Sequence, residues 1–172
     1  SSDVCSSDLL RKFYHGPIYI MIDDTGLGGG VTDRLREVKK EMHLGRMMIV
    51  PVNAAEKIET STSAGKKEAE HYNNLTTAMW ANLRDLMEEK AIDIVDDEET
   101  VAQLSTRKYR MASNGKIELE PKADLKKRGL DSPDRGDALS LCLYRGKIKK
   151  YEGEAPGSKA IESLMKTNEW SM

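Results

Sequence analysis

An apolar run in the first quarter of the chain leads into two acidic residues, a cluster of glycines and a predicted helix. Residues 17–22 are apolar and rich in β-branched side chains, which is typical of a buried parallel strand. Asp23 and Asp24 follow the strand, and residues 31–42 carry apolar side chains at helical spacing. Ligand sites form at the carboxyl ends of parallel strands in such βα units. The sequence therefore predicts an α/β fold with Asp23 as a candidate site residue.

The glycines between this strand and the helix match neither of the common phosphate-binding motifs. Gly26, Gly28, Gly29 and Gly30 are not followed by the Lys-Ser/Thr pair of a P-loop. The third glycine of the dinucleotide-binding motif is also missing, so a nucleotide-binding oxidoreductase is a distant alternative. The glycines predict instead a tight turn at which a helix or a DNA phosphate approaches the backbone closely.

The middle of the chain continues the alternation of strands and helices. Residues 47–52 predict a second strand, and residues 53–67 predict a polar loop. A helix at 75–90 is expected to begin after Asn73 or Asn74. Its apolar side chains recur at helical spacing and predict a core stripe of Met79, Trp80, Leu83 and Leu86.

A short helix, a hairpin and a basic segment come next. The acidic residues 96–99 favour the start of a helix that reaches residue 104. Asn114-Gly115 lies between two alternating runs, which is a strong hairpin signal. Residues 122–128 predict a basic helical segment, whose candidates for contact with DNA phosphates are Lys122, Lys126, Lys127 and Arg128.

A second candidate acidic site opens the last predicted helix. Ser132 is expected to cap this helix, and Pro133 suits its first turn. Asp134 and Asp137 lie one turn apart on the same face, where they repel each other and where a divalent cation would relieve that repulsion. An ordinary helix start with acidic first-turn residues is an equally open interpretation. The later apolar residues are expected to be buried: Ala138, Leu139, Leu141 and Leu143.

Composition narrows the class of protein without identifying a ligand. With 172 residues, 38% of them hydrophobic and 33% charged, the chain is long enough for one domain with its own core. A net charge of −2 does not indicate a nucleic-acid-binding protein as a whole, so any DNA contact must come from local patches. The two cysteines and three histidines show no zinc-ligand spacing, and a reducing cytoplasm is the default compartment.

Both ends of the chain differ in character from the middle. Residues 1–9 resemble the translation of a sequencing-library adapter and are expected to lie outside the fold, with a disordered polar N-terminus as the alternative. We expect residues 10–145 to form the folded domain. Residues 146–172 are expected to be a polar tail.

Motifs in order along about residues 17–143 resemble the C-terminal nuclease domain of the large terminase subunit of tailed bacteriophages. They begin with a strand that runs into Asp23-x-x-Gly26-x-Gly28 and continue with a strand ending in Val-Pro-Val-Asn. Asn74 then heads the helix that carries the apolar stripe. The most specific motif is Lys127-Arg128-Gly129-Leu130-x-Ser132-Pro133-Asp134-x-x-Asp137-Ala138-Leu139.

The resemblance implies that residues 10–145 form a partial RNase H-like nuclease domain, a mixed sheet flanked by helices with the first strands missing. It implies a metal-dependent endonuclease that cuts concatemeric double-stranded DNA during packaging. Asp23 and Asp134 would be catalytic metal ligands and Asp137 an additional one, whereas Asp24 faces the other side of its strand. Two Mg²⁺ or Mn²⁺ ions suit such carboxylates, and no histidine or cysteine is required.

The sequence departs from the family in one important respect. The family carries its first catalytic Asp on an earlier strand, and no residue before Pro17 matches it. No Walker motif occurs either, so ATP would act only through a missing upstream domain. We therefore expect a truncated fragment that cleaves DNA poorly by itself, whose strand at 18–22 presents an apolar, aggregation-prone edge.

The implied partners are double-stranded DNA, the portal protein and the small terminase subunit, with no membrane. The implied location is the host bacterial cytoplasm, at the procapsid. Two alternatives remain open at this point. One is another RNase H-like nuclease, such as a resolvase or transposase, which the neighbouring genes would distinguish. The other is a non-catalytic assembly module in which the acidic residues are structural.

Overall fold

The computed structural model describes residues 16–26, 28–94, 96–144 and 146, and it begins with a parallel βαβ unit. Strand β1 (Ile18–Asp23) and strand β2 (Met47–Val52) pair in parallel, in a register that sets Asp23 opposite Val52. Helix α1 (Gly28–Glu41) connects them. The three predicted elements are confirmed, although α1 begins earlier than residue 31, within the glycine cluster.

The core lies between one face of this strand pair and a long helix. The alternate residues Met48, Val50 and Val52 of β2 are buried and pack against Leu75 and Met79. Both of those residues belong to α3 (Leu75–Glu88). Alternation along the strand and helical spacing along α3 present matching apolar faces, and each fully buried aliphatic side chain contributes roughly 1.5–3 kcal/mol.

Helix α3 confirms the predicted core stripe and its start. The Asn74 side chain accepts a hydrogen bond from the Thr77 N–H, as an N-cap residue does. Met79, Trp80 and Leu83 are buried, whereas Leu86 is only partly so.

The prediction of a loop over residues 53–67 is wrong at its end, because helix α2 (Ser63–His71) begins there. The Thr62 hydroxyl caps it by accepting from the Gly65 N–H. The helix contains only small apolar residues, so it shows no amphipathic stripe, and its length comes from good helix formers such as lysine, glutamate and alanine.

The second half of the described chain matches the predicted order of elements. Helix α4 (Glu98–Thr106) precedes strands β3 (Tyr109–Met111) and β4 (Ile117–Leu119), which pair antiparallel around the Asn114-Gly115 turn. Helix α5 (Lys122–Lys127) and helix α6 (Asp134–Leu143) follow. None of the described helices combines the length and the apolar character needed to cross a bilayer.

The buried face of α6 differs from the prediction. The four apolar residues at 138, 139, 141 and 143 are exposed or half-buried, whereas Gly136 and Ser140 are buried. The reason is the close approach of α6 to α3: a Cβ at Gly136 would lie 2.6 Å from Cη2 of Trp80. The small residues Gly136 and Ser140 permit this approach and are buried by it, and of the leucines Leu141 packs against the core cluster that contains Leu75 and Met79.

Candidate functional site

Asp23 lies where the sequence predicts it, at the carboxyl end of β1. Its Oδ1 accepts a hydrogen bond of 3.0 Å from the Thr25 N–H, and the side chain is exposed. Asp24 points the other way, as expected for the next residue of a strand, and its Oδ1 accepts from the Thr32 hydroxyl of α1 at 2.7 Å. The Asp24 carboxylate therefore anchors α1, whereas the Asp23 carboxylate remains accessible to solvent.

The start of α6 is built differently from the prediction. Ser132 does not cap it: Pro133 occupies the N-cap position, and the Ser132 hydroxyl donates to Asp134 Oδ1 at 2.6 Å. The role of the cap falls to Gln103 of α4, whose Oε1 accepts from the backbone N–H groups of Arg135 and Gly136 at 2.8 and 3.2 Å. These first-turn N–H groups have no partner within a helix, so a side chain from another helix satisfies them.

A charge contact reinforces the same junction between α4 and α6. The Arg135 guanidinium pairs with Asp97 and Glu99 at the start of α4. Hydrogen bonds from Thr100, together with this guanidinium, lower the pKa of Asp97 to about 2. Asp97 is thus an N-cap residue of α4 that stays ionised at any physiological pH.

We predict that Gln103→Ala lowers the free energy of unfolding by about 1 kcal/mol, the usual cost of losing an N-cap acceptor. Chemical denaturation of the full chain measures this, and Gln103→Glu, which keeps the acceptor oxygen, serves as the control. If Gln103→Ala were as stable as the parent chain, the side chain would not act as the cap of α6.

The predicted acidic residues share one cavity of about 530 Å³. Asp23 reaches it from the end of β1, and Asp134 and Asp137 reach it from the first turns of α6. Lys122 of α5 lines the same cavity. Residues from distant parts of the chain therefore meet at the carboxyl end of the parallel strand pair, where α/β folds bind their ligands.

Asp137 is the most constrained of the three carboxylates. Its Oδ1 accepts from Trp80 Nε1 at 2.9 Å and from an Arg107 guanidinium nitrogen at 2.6 Å. Its Oδ2 lies 2.7 Å from Lys122 Nζ. The carboxylate thus uses one oxygen for contacts inside the protein and turns the other toward the half-exposed lysine.

Arg107 is the most deeply buried of the charged side chains that contact Asp137. Only 4% of its side chain is exposed, and its guanidinium carbon lies 4.7 Å from the centre of the Trp80 ring. Burial lowers the pKa of the Arg107 guanidinium, although Asp137 counteracts the effect, and arginine stays charged regardless. A buried ion pair and a cation–π contact therefore lie directly behind the cavity.

The predicted DNA-binding residues separate into different environments. Lys122 alone faces the cavity. Lys127 pairs with Asp124, and Arg128 pairs with Glu120, each at 2.7 Å. Within the described ranges Lys126 has no ion-pair partner. The charges of Lys122, Lys127 and Arg128 are thus each partly balanced inside the protein. Lys122 is a candidate for phosphate contact because it faces the cavity, and Lys126 because it has no ion-pair partner within the described ranges.

Sequence reasoning missed Arg107, Gln103 and the polar role of Trp80. Trp80 is assigned to the core by its spacing, and the spacing is correct, but its indole N–H also binds Asp137. Arg107 lies at the end of α4, where the sequence offers no sign that its charge is buried. No local pattern marks such residues, because their partners lie tens of positions away along the chain.

The donor chemistry of the cavity suits a divalent cation of the magnesium class. The candidate ligands are all carboxylate oxygens, which hard cations prefer. Across the described ranges, Asp23 and Asp134 each have one oxygen that accepts no protein hydrogen bond, and Asp137 Oδ2 already faces a cation, Lys122. No three acidic, histidine or cysteine side chains within those ranges lie close enough to form a complete metal site.

Comparisons with known proteins identify the fold. No protein-family model and no curated protein matches the sequence. Among solved structures, the nuclease domain of the large terminase subunit gp2 of bacterial virus Sf6 matches with a TM-score of 0.55 and 20% identity. Mutant forms of it solved with manganese and with calcium match with TM-scores of 0.57 and 0.56, again at 20% identity.

These matches cover 73% of this chain and 64% or 65% of the solved domains, so the chain spans less than two thirds of them. At this identity they establish the fold. The α/β arrangement described above is therefore the fold of these phage large terminase nuclease domains, in agreement with the resemblance that the sequence motifs indicated.

Proposed function

We propose that this chain is the nuclease part of a phage large terminase subunit, a phosphodiester hydrolase that cuts concatemeric double-stranded DNA during packaging. One observation carries the proposal. Asp23 and Asp134, from opposite ends of the described chain, line the same cavity in a fold that matches a terminase nuclease. A basic side chain, Lys122, lines it as well, and phosphate would be its natural partner.

Each residue has a distinct task in this proposal. Asp23 and Asp134 would hold Mg²⁺ or Mn²⁺ through their unpaired oxygens, and Asp137 Oδ2 would become an additional ligand once the cation draws the other two carboxylates closer than they lie in the described structure. Divalent ions bound there would supply an activated water and stabilise the leaving oxygen. Lys122 would exchange Asp137 for a DNA phosphate, because it is half-exposed and flexible enough to move. Lys126, Lys127 and Arg128 would contact the DNA backbone further out.

The wider setting follows the terminase interpretation. The domain would act in the host cytoplasm at the procapsid, with the portal protein and the small terminase subunit as partners. ATP would be used only by a separate ATPase domain. No residue before Pro17 matches the family's first catalytic Asp, so we expect weak cleavage by the 172-residue polypeptide itself.

Metal binding tests the proposal more directly than weak cleavage does. Titration of the full chain with Mn²⁺, followed by electron paramagnetic resonance, is expected to reveal binding that Asp23→Asn and Asp134→Asn each weaken. The loss should exceed the roughly 10–100-fold that is typical of residues behind the ligands. Asp131→Asn is the matched control, because Asp131 is exposed near the same helix but does not line the cavity.

A different result would favour the assembly-module alternative. If the chain bound double-stranded DNA equally well with Mn²⁺ and with a chelator, and if Asp23→Asn and Asp134→Asn bound Mn²⁺ like the parent chain, the acidic residues would be structural. The nuclease proposal would then be wrong.

A further inference from the structure

Trp80, Arg107 and Asp137 form a cluster behind the cavity. Metal binding by Asp137 does not by itself explain why the charged Arg107 is buried there. Arg107 is almost completely buried, and its Nε has no hydrogen-bond partner within the described part of the chain. Burying a guanidinium is costly, and an apolar residue of similar size is often at least as favourable for stability. Its presence there points to a task that an apolar side chain could not perform.

The contacts of Asp137 indicate that task. Trp80 Nε1 and Arg107 both donate to the same oxygen, Oδ1, at 2.9 and 2.6 Å. The two donors belong to planar groups in cation–π contact, with the guanidinium carbon 4.7 Å from the ring centre. Together they fix the rotation of the carboxylate, because moving Oδ1 would break both hydrogen bonds inside a buried environment.

The other oxygen is held differently. Among the residues that the structure describes, Lys122 is the ion-pair partner of Oδ2, and its side chain is 50% exposed, so this partner can leave for water or phosphate at little cost. The Asp137 carboxylate therefore has one permanent side, facing Trp80 and Arg107, and one exchangeable side, facing the cavity.

We propose that Arg107 is a positioning residue of the candidate metal centre: with Trp80 it locks Asp137 so that Oδ2 alone is presented to a divalent cation. This inference rests on the proposed function, since it concerns the same cavity. Arg107 itself would touch neither metal nor DNA. Groups that orient metal ligands in this way typically change metal affinity by about 10–100-fold when they are removed.

The test is a Mn²⁺ titration of the full chain carrying Arg107→Met, which removes the hydrogen bond to Asp137 but keeps a long apolar side chain. We expect its dissociation constant for Mn²⁺ to rise by about 10–100-fold. Arg84→Met is the matched control, because Arg84 lies on α3 but is exposed and pairs with Asp85. Trp80→Phe provides a second variant that keeps an aromatic ring and loses the indole donor, and a weaker rise of about tenfold is expected.

A spectroscopic signal separates positioning from simple stability. The chain has two tryptophans, so the indole N–H resonance of Trp80 can be assigned by its loss in Trp80→Phe. Because Trp80 bonds to Asp137, Mg²⁺ is expected to shift this resonance and Mn²⁺ to broaden it. A purely structural arginine would lower the melting temperature without changing either the resonance response or the dissociation constant.

The outcomes are distinct. If the parent chain binds Mn²⁺ at Asp23 and Asp134 but folded Arg107→Met and Trp80→Phe bind it with unchanged affinity, the positioning role is wrong and the proposed function stands. If the parent chain does not bind Mn²⁺ at all, the proposed function and this inference both fail.

Discussion

Asp137→Ala is expected to lower the free energy of unfolding by about 3–5 kcal/mol, the range for removing one partner of a buried ion pair. The cost arises at Arg107, which is 4% exposed and would keep its charge without a counterion. Trp80 Nε1 would lose its acceptor as well. Lys122 adds little, because half of its side chain is exposed and water can replace the lost carboxylate. Urea denaturation monitored by circular dichroism measures the change.

Two further variants show where that energy comes from. Asp134→Ala, which removes an exposed carboxylate one turn earlier, should cost no more than about 1 kcal/mol. The double variant Arg107→Met with Asp137→Leu should recover most of the loss, since an apolar pair needs no counterion. A large loss in the double variant, equal to that of Asp137→Ala, would contradict the explanation by a stranded buried charge.

Gly28→Ala is the second change for which we expect a large effect. A Cβ at this position would lie 2.1 Å from the carbonyl oxygen of Asp23 and 2.9 Å from its carbonyl carbon. Both atoms belong to the backbone, so β1 or α1 must move. Overpacking of this kind typically costs about 1–3 kcal/mol, and the movement would displace the end of the strand that carries Asp23. We therefore expect lower stability together with weaker Mn²⁺ binding.

The neighbouring glycine supplies the control. A Cβ at Gly29 would meet no atom within 4 Å, and alanine is favoured over glycine within a helix by about 0.5–1 kcal/mol. Gly29→Ala should therefore be neutral or stabilising in the same thermal-unfolding assay. If Gly28→Ala and Gly29→Ala had the same stability, the close contact between Gly28 and the Asp23 carbonyl would not be the reason for a glycine at position 28.

Local patterns in the sequence predict most of the elements for a simple reason. Strand β2 is apolar along its whole length, α3 repeats apolar residues at helical spacing, and Asn114-Gly115 favours the tight turn of a β-hairpin. Each of these signals lies within the residues that form the element. Helix α2 is not predicted because its buried position is a glycine, Gly65, so hydrophobicity does not reveal which side faces inward.

Two residues of the candidate site can be predicted from the sequence because they lie at the end of a strand and at the start of a helix. Asp23 ends a strand and Asp134 starts a helix, and the family resemblance relates the two positions to each other. Their common cavity agrees with that relation, and their role as metal ligands remains a prediction. The cap of α6 was predicted wrongly, because Ser132 has the right residue type and position but its hydroxyl binds Asp134 instead.

Local sequence patterns predict the order of the strands and helices, the core stripe of α3 and the candidate acids at two element ends, because periodicity, turn chemistry and helix-end preferences act over a few residues. Contacts between distant segments of the folded chain select the groups that surround those acids. Gln103 caps α6 from another helix, and Arg107 and Trp80 fix one oxygen of Asp137. Such contacts join residues about 30 or 57 positions apart, where hydrogen-bond geometry and burial, rather than any local pattern, select the partner.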